Sequence, residues 1–332
     1  MNLIITLIGI KFIIFLILNY ILPNILIMGS RDQDFKKKYG KWALVTGSSS
    51  GIGKSISHRL ASQGISLILV AKDDQYFNEM VNEIKNKYKS NINLKFLSIK
   101  LDLTKPESVK ELILKLKEFE SNKILKINEI RILFNNVGYV TMEGFNQTSY
   151  DNDKLKMIQC NTLTSVQLTD YFYRIWIENK ININNDDYKK NGVIIFTSSI
   201  GAILPTPFSV IYSSCKSFLS NFATSLSLEA KSNDIDILAV QPGRVDTHIF
   251  DKLPNLLALK FLKLMSQKPD DVVDIMFRAA GRYGIVIFNS GLFAQLSCLF
   301  SNLFGINLTN NIVYLISKYI LTDYSQYRKI NK

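Results

Sequence analysis

The sequence predicts an α/β fold: a doubly wound parallel sheet of about seven strands, with an N-terminal transmembrane helix and an apolar C-terminal extension. Three observations carry this. An apolar run, Trp42 to Thr46, leads straight into the glycine-rich turn Thr46-Gly47-Ser48-Ser49-Ser50-Gly51-Ile52-Gly53. Strand-like and helix-like segments then alternate, which implies parallel strands with helices on both faces. Finally, Leu3 to Met28 is almost continuously apolar.

The first twenty residues of that apolar stretch would span about 30 Å as a helix, enough to cross a bilayer. Only Lys11, Asn19, Pro23 and Asn24 interrupt it. Its length and the lack of a small-residue cleavage site argue for an uncleaved anchor over a signal peptide or a buried core helix. Arg31 and the triplet Lys36-Lys37-Lys38 follow it, and no charged side chain precedes it. The positive flank belongs on the cytoplasmic side, so the domain behind it is expected to face the cytosol. The expected organisation is an anchor over 1–30, a basic linker over 31–40, a catalytic domain over 41–290 and a membrane-associated or substrate-capping segment over 291–332.

Within the domain, Trp42 to Thr46 reads as the first strand and Ser55 to Gln63 as the helix behind it. The pattern continues with strand Ser66 to Val70, helix Tyr76 to Tyr88, strand Leu94 to Leu101, helix Glu107 to Glu120 and strand Ile130 to Asn135. A long helical region from Asp153 to Asn179 is interrupted near Asn161, and the polar stretch Asn182 to Asn191 reads as a surface insertion. Then come strand Val193 to Thr197, helix Tyr212 to Lys231, strand Ile235 to Val240 and a seventh strand at Gly284 to Phe288. From Leu292 to Ile320 the chain is apolar again, broken by Gln295, Asn302, Asn307, Asn310 and Asn311. That tail is open to three readings: a second span, a membrane-lying helical hairpin, or a cap over the substrate cleft.

Composition removes several function classes. The 332 residues contain three widely spaced cysteines, Cys160, Cys215 and Cys298, which suit a reducing compartment better than a disulfide scaffold. With two histidines, His58 and His248, there is little material for a histidine-centred zinc site or serine triad. No metal is expected. The net charge of +12 comes from scattered lysines without stacking aromatics beside them, so nucleic acid is not the expected partner. A lysine-rich surface suits anionic lipid and cofactor phosphate.

Glycines 47, 51 and 53 let the backbone turn sharply and approach a pyrophosphate, whose charge meets the amides of the following helix. Tyr212 and Lys216 stand one helical turn apart, thirteen residues after Ser199. Spacing alone does not single them out, since Tyr150/Lys154 and Tyr314/Lys318 repeat it and Ser301 precedes Tyr314 by the same thirteen. Placement does: Ser199 follows an apolar strand and Tyr212 begins a helix inside the alternating series. A tyrosine hydroxyl near pKa 10 is a poor acid at neutral pH unless a cation stabilises its phenolate, and Lys216 at i+4 is on the right helical face.

The chain thereby resembles the short-chain dehydrogenase/reductases, a Rossmann-type family whose glycine motif reads T-G-x-x-x-G-x-G. Matching positions run through most of residues 41–290. Asp102, in Leu101-Asp102-Leu103-Thr104, matches the family's acid beside the adenine ring. Asn135-Asn136-Val137-Gly138 resembles its N-N-A-G sequence, with valine for alanine. Asn161, Ser199, Tyr212 and Lys216 match its catalytic tetrad, and Pro242-Gly243-Arg244-Val245-Asp246-Thr247 its nicotinamide-contacting P-G-x-V-x-T segment.

The resemblance implies a carbonyl reductase or alcohol dehydrogenase in which Tyr212 donates the proton, Ser199 binds the substrate carbonyl, Lys216 holds the nicotinamide ribose and Asn161 secures a water leading to Lys216. Cofactor contacts are expected from Gly47, Ser48, Ser49, Ser50, Gly51, Ile52, Gly53, Lys72, Asp102, Leu103, Asn135, Val137, Gly138, Tyr212, Lys216, Pro242, Gly243, Val245 and Thr247. Ala71 stands where NAD-preferring members carry aspartate, and Lys72 follows it; NADP(H) is favoured over NAD(H), with Asp73 as the residue that could pair with Lys72 or serve NAD.

The substrate is expected to be lipophilic and delivered from the membrane, in the endoplasmic reticulum. A long-chain 3-keto lipid leads, either 3-ketosphinganine or a 3-oxoacyl-CoA. The Ser48 to Lys54 segment leans to the 3-ketodihydrosphingosine reductases and Asn135 to Gly138 to the very-long-chain 3-oxoacyl-CoA reductases of the 17β-hydroxysteroid dehydrogenase group. A steroid or retinoid dehydrogenase is the alternative, and a non-catalytic dinucleotide-binding scaffold the alternative of another class. A homodimer through the helices around Asn161 and Tyr212 is a family trait. Two sequons, Asn146-Gln147-Thr148 and Asn307-Leu308-Thr309, offer a topology check: glycan on Asn146 would refute a cytosolic domain.

Overall fold

The computed structural model describes residues 2–146, 153–180, 188–251, 257–320 and 325. An apolar helical arm comes first: α1 (Asn2–Leu16), a π-helical turn over Ile17–Ile21, and α2 (Leu22–Met28). Next is a short helix, α3 (Phe35–Tyr39), and then the alternating series β1 (Trp42–Thr46), α4 (Gly51–Ser62), β2 (Ser66–Ala71), α5 (Gln75–Lys87), β3 (Phe96–Lys100), α6 (Ser108–Ser121) and β4 (Ile130–Asn135). The second half runs α7 (Leu155–Ile158), a π-helical turn (Gln159–Leu163), α8 (Thr164–Glu178), β5 (Gly192–Thr197), α9 (Val210–Lys231) and β6 (Ile235–Pro242). It closes with α10 (Leu257–Leu264), α11 (Pro269–Ala279), β7 (Ile287–Ser290) and α12 (Leu292–Leu315).

The seven strands form one parallel sheet in the order β3-β2-β1-β4-β5-β6-β7. The order reverses between β1 and β4, and a crevice opens at the carboxyl ends of those two strands. Both faces are covered, so β1, β2, β4 and β5 are buried along their whole length and are mainly apolar, although β4 also buries Arg131 and Asn135. Alternate side chains feed two cores. Val45, Phe134 and Val193 pack with Ile56 and Leu60 of α4, Phe77 of α5 and Phe277 of α11. Leu44, Leu133 and Ile194 pack with Leu112 of α6, Trp176 of α8 and Leu219 of α9.

Several boundaries depart from expectation for identifiable reasons. Helix α4 starts at Gly51 instead of Ser55, because Ser50 and the glycine turn form its N-terminus. Strand β7 begins at Ile287 instead of Gly284, since Tyr283 and Gly284 both have positive φ (54° and 69°) and make a turn. Helices α10 and α11 were not expected at all. For α11 the signal was present: Pro269 in the first turn with Asp270 and Asp271, then buried Val272, Val273, Ile275, Met276 and Phe277.

The segment 31–40 also differs from a free basic linker. Phe35 and Tyr39 of α3 are fully buried, and the Phe35 ring stacks on Phe277 at 4.3 Å between centroids. Asp34 caps the helix by accepting from the Lys37 amide (2.9 Å), while Asp32 pairs with Arg59 and Arg278. The apolar arm is therefore joined to the domain through packed structure. Residues 182–187 of the expected polar insertion, together with Gln147 and Thr148 of the Asn146 sequon, lie outside the described residues.

Candidate active site

The crevice is a cavity of about 1360 Å³, larger than the ~300–1,000 Å³ typical of small-molecule sites. One end is built by the turn after β1. Gly47 sits at φ 64°, and a Cβ at Gly53 would overlap the Gly47 carbonyl, so the turn and the first turn of α4 pack in direct backbone contact. No acidic residue occupies the first turn of α4, whose N-terminus opens to the cavity through Gly51 and Ile52. Such an end, with its amides and positive dipole, suits a pyrophosphate. Gly53→Ala is expected to weaken dinucleotide binding and cost roughly 1–3 kcal/mol of stability, because backbone and not a flexible side chain would have to move; fluorescence titration and thermal unfolding check both.

Asn136, at the end of β4, is a residue the sequence reading quoted without giving it a role. Its Nδ2 donates to the carbonyls of Thr46 (3.1 Å) and Gly47 (3.2 Å), and its Oδ1 accepts from Thr197 Oγ1 (3.0 Å). It ties β1, β4 and β5 together at the switch point. Its neighbour Asn135 faces the other way, donating to Thr169 of α8 (3.1 Å), and does not line the cavity. The period of two along the strand puts successive side chains on opposite faces. Ser48 is likewise turned inward, toward the Val70 carbonyl. The other expected contacts in the turn, in Asp102-Leu103, in Val137-Gly138 and in Pro242 to Thr247 do line the cavity, Gly53 excepted.

Asn161 lies inside the π-helical turn between α7 and α8, where the widened turn re-aims a side chain that a regular helix would point elsewhere. It is fully buried and holds Tyr139 from both sides: Oδ1 accepts the Tyr139 amide (3.0 Å) and Nδ2 donates to the Tyr139 carbonyl (2.8 Å). A Cβ on Gly138 would stand 3.1 Å from Asn161 Oδ1 and 3.3 Å from Lys216 Nζ, so these three groups converge.

Ser199 follows β5, and its Oγ accepts from the Gly201 amide (3.1 Å). Tyr212 and Lys216 stand on the first two turns of α9, with Lys216 Nζ 5.6 Å from the Tyr212 ring centroid. Lys216 is only 3% exposed and donates to the Thr197 carbonyl (2.7 Å); burial pulls its pKa down from 10.5 to about 8. Burial raises the Tyr212 phenol above its ordinary value, and a hydrogen bond with the Ser199 side chain pulls it back. Underneath, Ser198 Oγ donates to the Lys216 carbonyl (2.8 Å), and Gln241 Nε2 donates to Ser220 Oγ (2.8 Å), fixing α9 to β5 and β6. Cys160 also lines the cavity, but burial raises its thiol to about 12, leaving it protonated and a poor nucleophile. His58 pairs with Glu83 and His248 with Asp251, both outside the tetrad.

Asp102, which also lines the cavity, accepts from the Thr104 amide (3.1 Å) and hydroxyl (2.7 Å). Burial acts to raise its carboxyl, but these bonds and Lys72 at 3.4 Å outweigh it and hold the pKa below the ordinary value. Asp73 pairs with Lys100 (2.9 Å) and not with Lys72, and Asp74 caps α5 through the Phe77 amide (2.9 Å). The same cavity has apolar lining from Met142, Leu155, Leu163, Ile249, Leu262 and, from α12, Phe293, interspersed with the polar Glu143, Lys156, Gln159 and His248.

Comparison with known proteins agrees with this geometry. The family model described as short chain dehydrogenase matches residues 41–256. Among curated relatives, the mouse very-long-chain 3-oxoacyl-CoA reductase is 31% identical over 64% of this chain and 62% of its own length. That from Pyricularia oryzae is 27% identical over 66% and 60%. The chain thus spans less than two thirds of the curated relatives it matches. A solved 7β-hydroxysteroid dehydrogenase superposes with a TM-score of 0.67 at 18% identity, covering 82% of this chain and 96% of the other. A short-chain dehydrogenase from Sphingobium yanoikuyae in complex with NADPH gives 0.61 at 22%, covering 79% and 93%. With a family match over well more than half its length, the chain belongs to the short chain dehydrogenases, oxidoreductases whose fold binds a nicotinamide dinucleotide.

Proposed function

We propose that the protein reduces the 3-keto group of a long-chain 3-oxoacyl-CoA with NADPH, at the cytosolic face of the endoplasmic reticulum membrane. The observation that carries this reading is the one cavity that joins the glycine turn, the Ser199/Tyr212/Lys216 cluster and Phe293 of α12, which belongs to one of two segments among the described residues with the length and composition to cross a bilayer. The relatives' names supply the acyl-CoA class. Residues 1–30 and 291–332 serve as membrane elements around a catalytic domain at 41–290.

Hydride on the carbonyl carbon is the chemistry the reduced nicotinamide supplies when bound. The chain's own residues manage the oxygen. Ser199 Oγ donates to the carbonyl oxygen and stabilises the charge that builds there. The Tyr212 hydroxyl donates the proton that completes the alcohol. The Lys216 ammonium stabilises the phenolate left behind and holds the nicotinamide ribose. Asn161 positions Tyr139 and a water that resupplies the proton through Lys216.

NADPH is preferred because the carboxylates after β2 are already engaged, Asp73 by Lys100 and Asp74 by the start of α5. The Lys72 side chain, 69% exposed and paired with Asp102 at 3.4 Å, is the cation after β2 that would turn to meet a 2′-phosphate. Lys72→Glu is expected to raise KM for NADPH by about 10- to 100-fold and to leave KM for NADH unchanged or lower; an unchanged NADPH KM would remove Lys72 from the cofactor site. The substrate is tested by incubating membranes containing the protein with NADPH and 3-oxoacyl-CoA, 3-ketosphinganine or a ketosteroid. Turnover of the acyl-CoA is expected to exceed the other two, and turnover of either one instead would replace this substrate assignment.

A further inference from the structure

Both apolar segments carry polar residues that a lipid-facing helix would not tolerate well, and the structure brings those residues to one another. Asn302 Nδ2 donates to the Tyr20 hydroxyl (2.7 Å), which also lies 3.8 Å from Cys298 Sγ. Gln295 Nε2 donates to Asn24 Oδ1 (2.5 Å). Gln295, Cys298 and Asn302 fall on one face of α12 at helical spacing, and Tyr20 and Asn24 are four apart on the N-terminal arm. As the position on α12 rises from 295 to 302, its partner's falls from 24 to 20, so the two helices run antiparallel.

We propose that the arm 2–28 and the first part of α12 form one antiparallel helix pair, laced by these side chains, and that this pair is the membrane-inserted unit. The inference rests on the membrane reading given above. Hydrocarbon cannot satisfy amide and hydroxyl groups, so polar side chains in a bilayer seek partners on a neighbouring helix. Here the partners are within the chain. Tyr20 lies in the π-helical turn Ile17–Ile21, a local widening that re-aims a side chain. Away from the ladder, Leu18, Ile25 and Met28 on the arm and Leu296 and Leu303 on α12 are exposed and apolar, the surface a bilayer covers. Where the pair meets the domain, Arg282 Nη1 donates to the Arg31 carbonyl (2.9 Å), and Gly243 faces Phe293 of α12 (3.6 Å from a Cβ built on it). Gly305, at φ 76° and ψ 163°, breaks α12 and marks the end of this first part.

The test is photo-crosslinking in the full-length chain in its membrane, with Tyr20→p-benzoylphenylalanine and mass spectrometry of linked peptides. Position 20 is expected to label the peptide 292–305, and the reciprocal Asn302→p-benzoylphenylalanine to label 16–28. The same probe at Leu18, whose side chain is 57% exposed, is expected to label lipid instead. Labelling of lipid alone from positions 20 and 302, or equal labelling of 292–305 from positions 18 and 20, overturns the pair. Carbonate extraction and NADPH-dependent turnover are read on the same membranes. Retention and turnover without the link overturn the pair alone; extraction of the protein overturns the membrane reading and the pair with it; a link without turnover leaves the pair standing and counts against the reductase.

Discussion

Tyr212→Phe is expected to lower kcat for carbonyl reduction by about 10²- to 10⁴-fold, the range lost when a positioned general acid is removed. Cofactor affinity should barely change. The substitution removes one oxygen from a side chain whose ring is held by the first turns of α9, so packing and the glycine turn stay in place. The phenol interacts with Ser199, and Lys216 Nζ is 5.6 Å from the ring centroid, so the proton donor sits between the group that binds the carbonyl and the cation that stabilises its phenolate. The check is paired: stopped-flow or steady-state NADPH oxidation for turnover, and fluorescence titration for NADPH binding. Loss of both would indicate a structural tyrosine. Retention of turnover would remove the proposed mechanism and assign the proton to another acid.

Much of the sheet was legible because its central strands are buried on both faces. A mainly apolar run such as Trp42–Thr46 or residues 193–196, bounded by polar or glycine-rich turns, has few other uses in a chain with regular alternation. The meeting of Ser199, Tyr212 and Lys216 was legible for a different reason: they lie just after β5 and in the first two turns of α9, where short-range order places them. The interruption near Asn161 was visible as a break in periodicity, but its form as a π-helical turn was not, because π and α turns share the same residues. Long-range pairs left no trace in the sequence. The triple role of Asn136 depends on three strands meeting at one point, and the meeting of Gln295 with Asn24 joins positions 271 residues apart. Both look, locally, like ordinary polar residues. Segment 31–40 misleads for a related reason: its lysine run signals solvent, while Phe35 and Tyr39, on the other face of the same short helix, supply core.

Lys216→Met is expected to abolish reduction and yet to make the dinucleotide-free protein more stable at pH 7. The ammonium is almost wholly buried, and burial holds its pKa near 8 against an ordinary 10.5. A base with a depressed folded pKa is folded at a cost while it carries its proton: the cost is full below about pH 8 and fades as pH rises toward 10.5, where the unfolded chain also loses the proton. At roughly 1.4 kcal/mol per unit, the depression corresponds to ~3 kcal/mol. The hydrogen bond from Nζ to the Thr197 carbonyl (2.7 Å) is lost in the variant and gives back ~1–2 kcal/mol, so a net gain of ~1–2 kcal/mol remains. Thermal unfolding without cofactor should show this as a rise of a few degrees at pH 7. Between pH 8 and 10.5 the parent should gain stability relative to the variant. A variant less stable than its parent at pH 7, or a parallel pH dependence for the two, would show that the buried ammonium carries no folding cost. The expected combination, stability gained as activity is lost, follows from a charge buried to act on a tyrosine.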